Sequence, residues 1–123
     1  MQFSDAIQTV FQKYAVFQGR AGRPEYWYWV LFTVLVSIAA NILGEVIGVT
    51  GNALGALFSL ATLVPSIAVG VRRLHDTGRS GWNLLWGVIP LLGWVVVLYF
   101  TVQPSEAGTN RFGPQPGVAP LEV

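Results

Sequence analysis

The densest polar run in this chain is Arg72-Arg73-Leu74-His75-Asp76-Thr77-Gly78-Arg79-Ser80-Gly81, with three arginines, one aspartate and the chain's single histidine. A histidine beside a carboxylate is the raw material of a general base and its orienting partner. Adjacent residues on a turn rarely point at each other, however, and no serine is arranged with this pair as a nucleophile. The Asp-Thr-Gly triplet at 76–78 also occurs in aspartic proteases, but that chemistry needs two carboxylates sharing a proton, and a second triplet is absent. One histidine among scattered acidic residues is a poor metal-ligand set. The absence of cysteine removes thiolate metal sites and thiol nucleophiles. The expectation is a chain without catalytic residues, metal or cofactor; an enzyme using His75 and Asp76 is a secondary alternative.

Arginine forks match carboxylates and phosphates. Arg20, Arg23, Glu25, Arg72, Arg73, His75, Asp76 and Arg79 therefore form a candidate polar cluster. It has two readings. The arginines contact anionic lipid headgroups, or they set topology and pair internally with Glu25 and Asp76.

The elements that must position these residues follow from where charges are missing. Of 123 residues, 53% are hydrophobic and only 11% charged, against about 25% charged in soluble domains. A small soluble chain could not cover its surface with so few polar groups. The net charge of +1 argues against a nucleic-acid partner. Three uncharged windows run over 26–44, 46–71 and 80–105. About 20 apolar residues in helical form cross a hydrocarbon core, so the windows predict spans over 26–46, 52–71 and 82–102. A cleaved signal peptide is disfavoured because the first window starts late.

Basic residues cluster before span one (Lys13, Arg20, Arg23) and between spans two and three (Arg72, Arg73, Arg79). This bias predicts a cytoplasmic N-terminus and, with three spans, a C-terminal tail outside. The tail returns to the basic side if one window is a re-entrant hairpin, with Pro65 or Pro90 as the break. Tyr26-Trp27-Tyr28-Trp29, Trp82 and Trp86 suit a headgroup layer beside the basic segments.

Residues 3–17 read as an amphipathic interfacial helix, with Phe3, Ile7, Val10, Tyr14 and Phe17 on one face and Ser4 as N-cap. Its apolar side packs either on lipid or on the bundle. Small and polar residues recur at helical spacing: Thr33, Ser37, Asn41 and Glu45 in the first span, Gly51, Gly55, Ser59, Thr62, Ser66 and Gly70 in the second, and Asn83, Gly87 and Pro90 in the third. Such stripes read as helix-packing seams. Residues 103–123, rich in Pro and Gly, form an extended tail after a single membrane domain over 1–116.

Three motifs now stand out. Phe17-Gln18-Gly19-Arg20-Ala21-Gly22-Arg23-Pro24-Glu25-Tyr26-Trp27, the run from Arg72 to Trp82, and Asn110-Arg111-Phe112-Gly113-Pro114 together resemble the opening, central and closing motifs of the family called domain of unknown function 805. Asn83 departs from it, since a second aromatic after Trp82 is common there. The resemblance implies a small multi-pass inner-membrane protein of bacteria and no established activity, so no catalytic or ligand residue carries over.

The sequence thus predicts an all-α membrane protein, with an N-terminal amphipathic helix, three transmembrane helices and an irregular tail. Its expected role is a non-enzymatic structural or interaction component of the bacterial cytoplasmic membrane, as a homo-oligomer or in a larger complex. The alternative is binding or transport of an anionic lipid or phosphate-bearing ligand at the arginine-rich face.

Overall fold

The computed structural model describes residues 2–49 and 51–116. Within these residues all regular structure is helical: α1 (Phe3–Gln12), α2 (Arg23–Ile47), α3 (Ala53–Ala61), α4 (Leu63–Asp76), a 3₁₀ segment (Gly81–Val88) and α5 (Leu92–Val102).

The first element is shorter than the predicted 3–17. Gln2 is its N-cap, not Ser4, because Asp5 Oδ2 takes the Gln2 backbone N–H at 3.2 Å. Ala6 and Val10 are fully buried, and Phe11 meets Trp29 edge-on at 5.3 Å. Phe3 and Phe11, near opposite ends of α1, both touch Phe32. The helix therefore packs on α2 through Ala6 and Val10, while Phe3 and Phe11 stay partly exposed.

Helix α2 begins with Pro24 in its first turn, where a missing N–H is harmless, and Glu25 beside the positive end of the helix dipole. It ends at Gly48, whose φ of 84° is left-handed. Its 25 residues measure about 37 Å, enough to cross a bilayer with tilt. Among the described residues it is the one helix long and apolar enough to do so alone.

The second window is a broken helix. Helices α3 and α4 bend by 52° at Thr62, and together they pass as one span. Their ends meet both ends of α2: a Cβ at Gly55 would lie 2.5 Å from Asn41 Oδ1, while Arg72 bonds Glu25. The bend has a covalent cause. Pro65 has no N–H for the Ala61 carbonyl, and the Tyr14 hydroxyl donates to that carbonyl instead. In a lipid environment this replacement satisfies a group that would otherwise be costly.

The third window does not form the predicted span over 82–102. It folds as a hairpin. The 3₁₀ segment descends from Ser80, which caps it by accepting the Trp82 N–H at 3.3 Å. The chain then reverses through a γ-turn at Leu91 (φ 63°, ψ −69°), with Leu92 N–H donating to Pro90 O at 2.8 Å. Helix α5 returns along the 3₁₀ segment, tied by Trp94 Nε1 donating to Gly87 O at 3.1 Å. A side chain at Gly93 would put its Cβ 1.5 Å from the Trp86 carbonyl oxygen, so glycine permits the closure. The 3₁₀ segment spans 8 residues and α5 spans 11, each about 16 Å, or half a hydrocarbon core of roughly 30 Å. Apolar composition matched a span; Pro90 and a strained turn made two half-depth legs.

Both ends of the hairpin consequently lie at the same end of the bundle: the Arg79 guanidinium sits 4.5 Å over the Phe100 ring. The tail, expected on the opposite face, packs among the arginines. Residues 103–116 of the predicted 103–123 tail are described, and the remainder lies outside the described residues. In this cysteine-free chain, Gln8→Cys and Thr109→Cys should label from one side of a membrane vesicle and Val49→Cys from the other. Leu91→Cys should resist aqueous maleimides from both sides. Three full spans would instead group 109 with 49.

Candidate functional site

The apolar segments carry the site at one end. Residues 72–76 form the last turns of α4, past its apolar stretch, and residues 19–25 lead into α2. Between them Arg20, Glu25, Arg72, Arg73 and Asp76 are all buried, and Arg72, Arg73 and Asp76 are fully so. Charges this deep persist only when paired and hydrogen-bonded.

Asp76 is the hub. Its Oδ1 accepts from Arg20 Nε at 2.9 Å, and its Oδ2 accepts from Arg73 Nη1 at 2.6 Å and from the Ser105 hydroxyl. Its backbone carbonyl accepts from Arg20 Nη2 at 3.2 Å and from Glu106 N–H at 2.7 Å. The rest of the Arg20 fork is filled by the carbonyls of Glu106 (2.5 Å), Gly108 (2.6 Å) and Gly113 (3.2 Å). Arg73 reaches the carbonyls of Thr101 at 2.9 Å and Ala21 at 3.3 Å, and that of Gln103. One side chain thus joins α4, the loop before α2 and the end of α5. Arg72 pairs with Glu25 and donates through Nε to Val16 O at 3.2 Å.

His75 does not pair with Asp76. Its Nδ1 lies 2.9 Å from Gly19 O. A carbonyl only accepts, so Nδ1 carries the proton and Nε2 is left as an acceptor. The ring stacks on Phe112 at 3.9 Å and 1°, and Asn110 Nδ2 donates to the His75 carbonyl at 2.9 Å. Burial pushes the His75 pKa below its ordinary value; the Gly19 hydrogen bond opposes this, and the positive charge of Arg111 adds to it. The dyad required for general-base catalysis is therefore absent from this geometry, and among the described residues no group of three metal-capable side chains forms.

Of the other predicted positions, Arg23 is exposed and Arg79 lies over Phe100. The small residues serve mostly internal contacts. Gly55 abuts Asn41, Gly70 abuts Leu84, and Ser66 Oγ accepts from Trp29 Nε1 at 3.0 Å. Gly51 occupies a left-handed turn, and Ser59 lines a cleft. Sequence reasoning missed Ser105 and the carbonyls of residues 101–113. The Pro/Gly-rich composition after 103 signalled turns; which way their carbonyls point is decided by the folded loop.

An all-helical bundle with an apolar span and a buried ionic end is a membrane protein in architecture. The chain belongs to the family described as Protein of unknown function (DUF805), whose model matches residues 14–114. It is 40% identical over 109 residues to Inner membrane protein YhaI of Escherichia coli K12, covering 88% of this chain and 92% of that one. It is 36% identical over 120 residues to Inner membrane protein YhaH of the same strain, covering 94% and 99%. Uncharacterized protein YiiR is 34% identical over 95 residues, covering 72% of this chain and 58% of that protein. No solved structure matches significantly. The chain is thus a bacterial inner-membrane protein of a family without assigned activity, and its three motifs meet in one ionic network.

Two outcomes are expected. Asp76→Asn leaves two buried guanidiniums without their anion and should cost about 3–5 kcal/mol of stability in unfolding from mild detergent. His75→Ala should cost less, since the ring contributes one hydrogen bond and a stack. The second outcome concerns pH. The folded-state pKa of His75 is lowered, so its contribution is present above the ordinary value of 6.5 and lost as pH falls toward the folded value. Thermal stability should decline below that pH, and His75→Gln should flatten this part of the profile.

Proposed function

We propose that the protein is a non-enzymatic interaction component of the bacterial inner membrane that associates with a second copy of itself through the α2–α4 side of the bundle. Arg20, Glu25, Arg72, Arg73 and Asp76 are paired within the fold, with Arg72 Nη2 the one buried nitrogen among them without a partner among the described residues. The reading is carried instead by a cleft of about 400 Å³, lined by Thr33, Ser37, Asn41, Ser59, Thr62 and Ser66. Of these, Asn41 has its Oδ1 buried against Gly55 of α3 and without a hydrogen-bond partner among the described residues. Exposed Ile38 and Leu63 flank the opening. Polar walls open to hydrocarbon are poorly solvated, and hydroxyl and carboxamide groups promote helix association there.

Ion pairing also bears on the alternative of an anionic-ligand pocket. Arg20, Arg72 and Arg73 have internal acceptors, which leaves Arg23, Arg79 and Arg111 as the motif arginines available to headgroups.

Introduced at Ile38 of the cysteine-free chain, a cysteine should cross-link into dimers under mild oxidation in membranes, and Asn41→Val should reduce the yield severalfold. Chains carrying Ile38→Cys or Leu63→Cys that stay monomeric at every protein-to-lipid ratio would defeat this reading.

A further inference from the structure

A second cavity lies at the other side of α4, where the hairpin leaves the polar face. It encloses about 450 Å³ between Ile67 and Val71 of α4, Leu84 and Leu85 of the 3₁₀ segment, and the rings of Phe17 and Trp82. That volume is in the range of small-molecule sites, which combine apolar walls with a few convergent polar groups. Here the polar groups are His75 and Ser80.

Their hydrogen-bonding roles are fixed by their other partners. His75 spends its Nδ1 proton on Gly19 O, which makes Nε2 an acceptor. Ser80 Oγ accepts from the Trp82 N–H, which leaves its hydroxyl proton to donate. Neither Nε2 nor the Ser80 proton has a partner among the described residues. Both residues line the cavity beside its apolar well, so its polar complement is one acceptor and one donor. No arginine or lysine lines it, and the guanidiniums of Arg20, Arg72 and Arg73 are held elsewhere by carboxylates.

The complement of that pattern is an uncharged hydroxyl on an apolar body. A hydroxyl donates to one neighbour while accepting from another. A phosphate would find no fixed cation in the wall. We infer that the cavity between α4 and the hairpin binds an amphiphile with a neutral alcohol head and a hydrocarbon tail. The head sits between His75 Nε2 and Ser80 Oγ, and the tail lies along Ile67, Val71 and Leu84 against Trp82. Trp82 is 79% exposed, and an occupant of the cavity would cover it. This site is separate from the Asn41 cleft and does not depend on self-association.

The test uses the full chain in phosphatidylcholine nanodiscs and reads tryptophan emission, with Trp82→Phe isolating the contribution of that ring. Dioctanoylglycerol and farnesol represent the glycerolipid and isoprenoid sources of the same chemistry. At least one should give a saturable change that Trp82→Phe abolishes; whichever binds identifies the source. Dioctanoylglycerol acetate and farnesyl acetate lack the donating proton and should bind about tenfold more weakly than their alcohols, because the His75 acceptor is then covered by the ligand and left unpaired. Val71→Phe should block the well. His75→Phe should leave a folded chain, checked by circular dichroism, that no longer prefers alcohol to acetate, and Ser80→Ala should weaken the binding of both by a similar factor. Binding of neither alcohol, equal binding of alcohols and acetates, or tighter binding of dioctanoyl phosphatidic acid would overturn the inference.

Discussion

The structure depends on one shared anion. The Asp76 carboxylate lies between the guanidiniums of Arg20 and Arg73 with no exposure to solvent. A buried carboxylate without cations is prohibitively desolvated, and so is a buried guanidinium without an acceptor. Each member therefore requires the others in place. Because Arg20 precedes α2, Arg73 and Asp76 end α4, and Ser105 follows α5, satisfying this one group fixes the relative position of three segments far apart in the chain. The hydrophobic effect does not supply that specificity here. Lipid tails are as apolar as leucine side chains, so burial against lipid discriminates weakly between helix arrangements.

This explains why the two residues most suggestive of catalysis do not pair with each other. His75 and Asp76 are adjacent in sequence but face different partners. Asp76 points into the ionic hub, while His75 stacks on Phe112 and holds the Gly19 carbonyl. The histidine joins the closing motif to the opening one, the aspartate joins the central motif to the opening one through Arg20, and Arg20 in turn reaches the Gly113 carbonyl of the closing motif. Arginine is suited to the task because its planar fork satisfies several acceptors at once. Arg20 does so with four carbonyls as well as a carboxylate.

Much of this was legible in the residues. Charge-free windows located the apolar segments, and the first, read as a span from residue 26, lies within α2, which starts three residues earlier. Glu25 and Asp76 were recognisable as internal partners for arginine. The fate of the third window was harder to read. Hydropathy measures apolar content, and a hairpin of two 16 Å legs has the same content as one span of twice that length. The information lay in Pro90, Leu91 and Gly93, where a γ-turn and a close helix approach override length. The carbonyls that complete the arginine forks were illegible for a different reason. Every residue carries a carbonyl, so no residue type announces which ones converge.

The half-depth hairpin also gives the molecule a taper. At the arginine end, α1, α2, α4, the 3₁₀ segment and α5 lie side by side, whereas at the far end only α2 and α3 continue. The body is therefore wider in cross-section at one end than at the other, and this asymmetry comes from Pro90 and from Leu91 in its positive-φ turn.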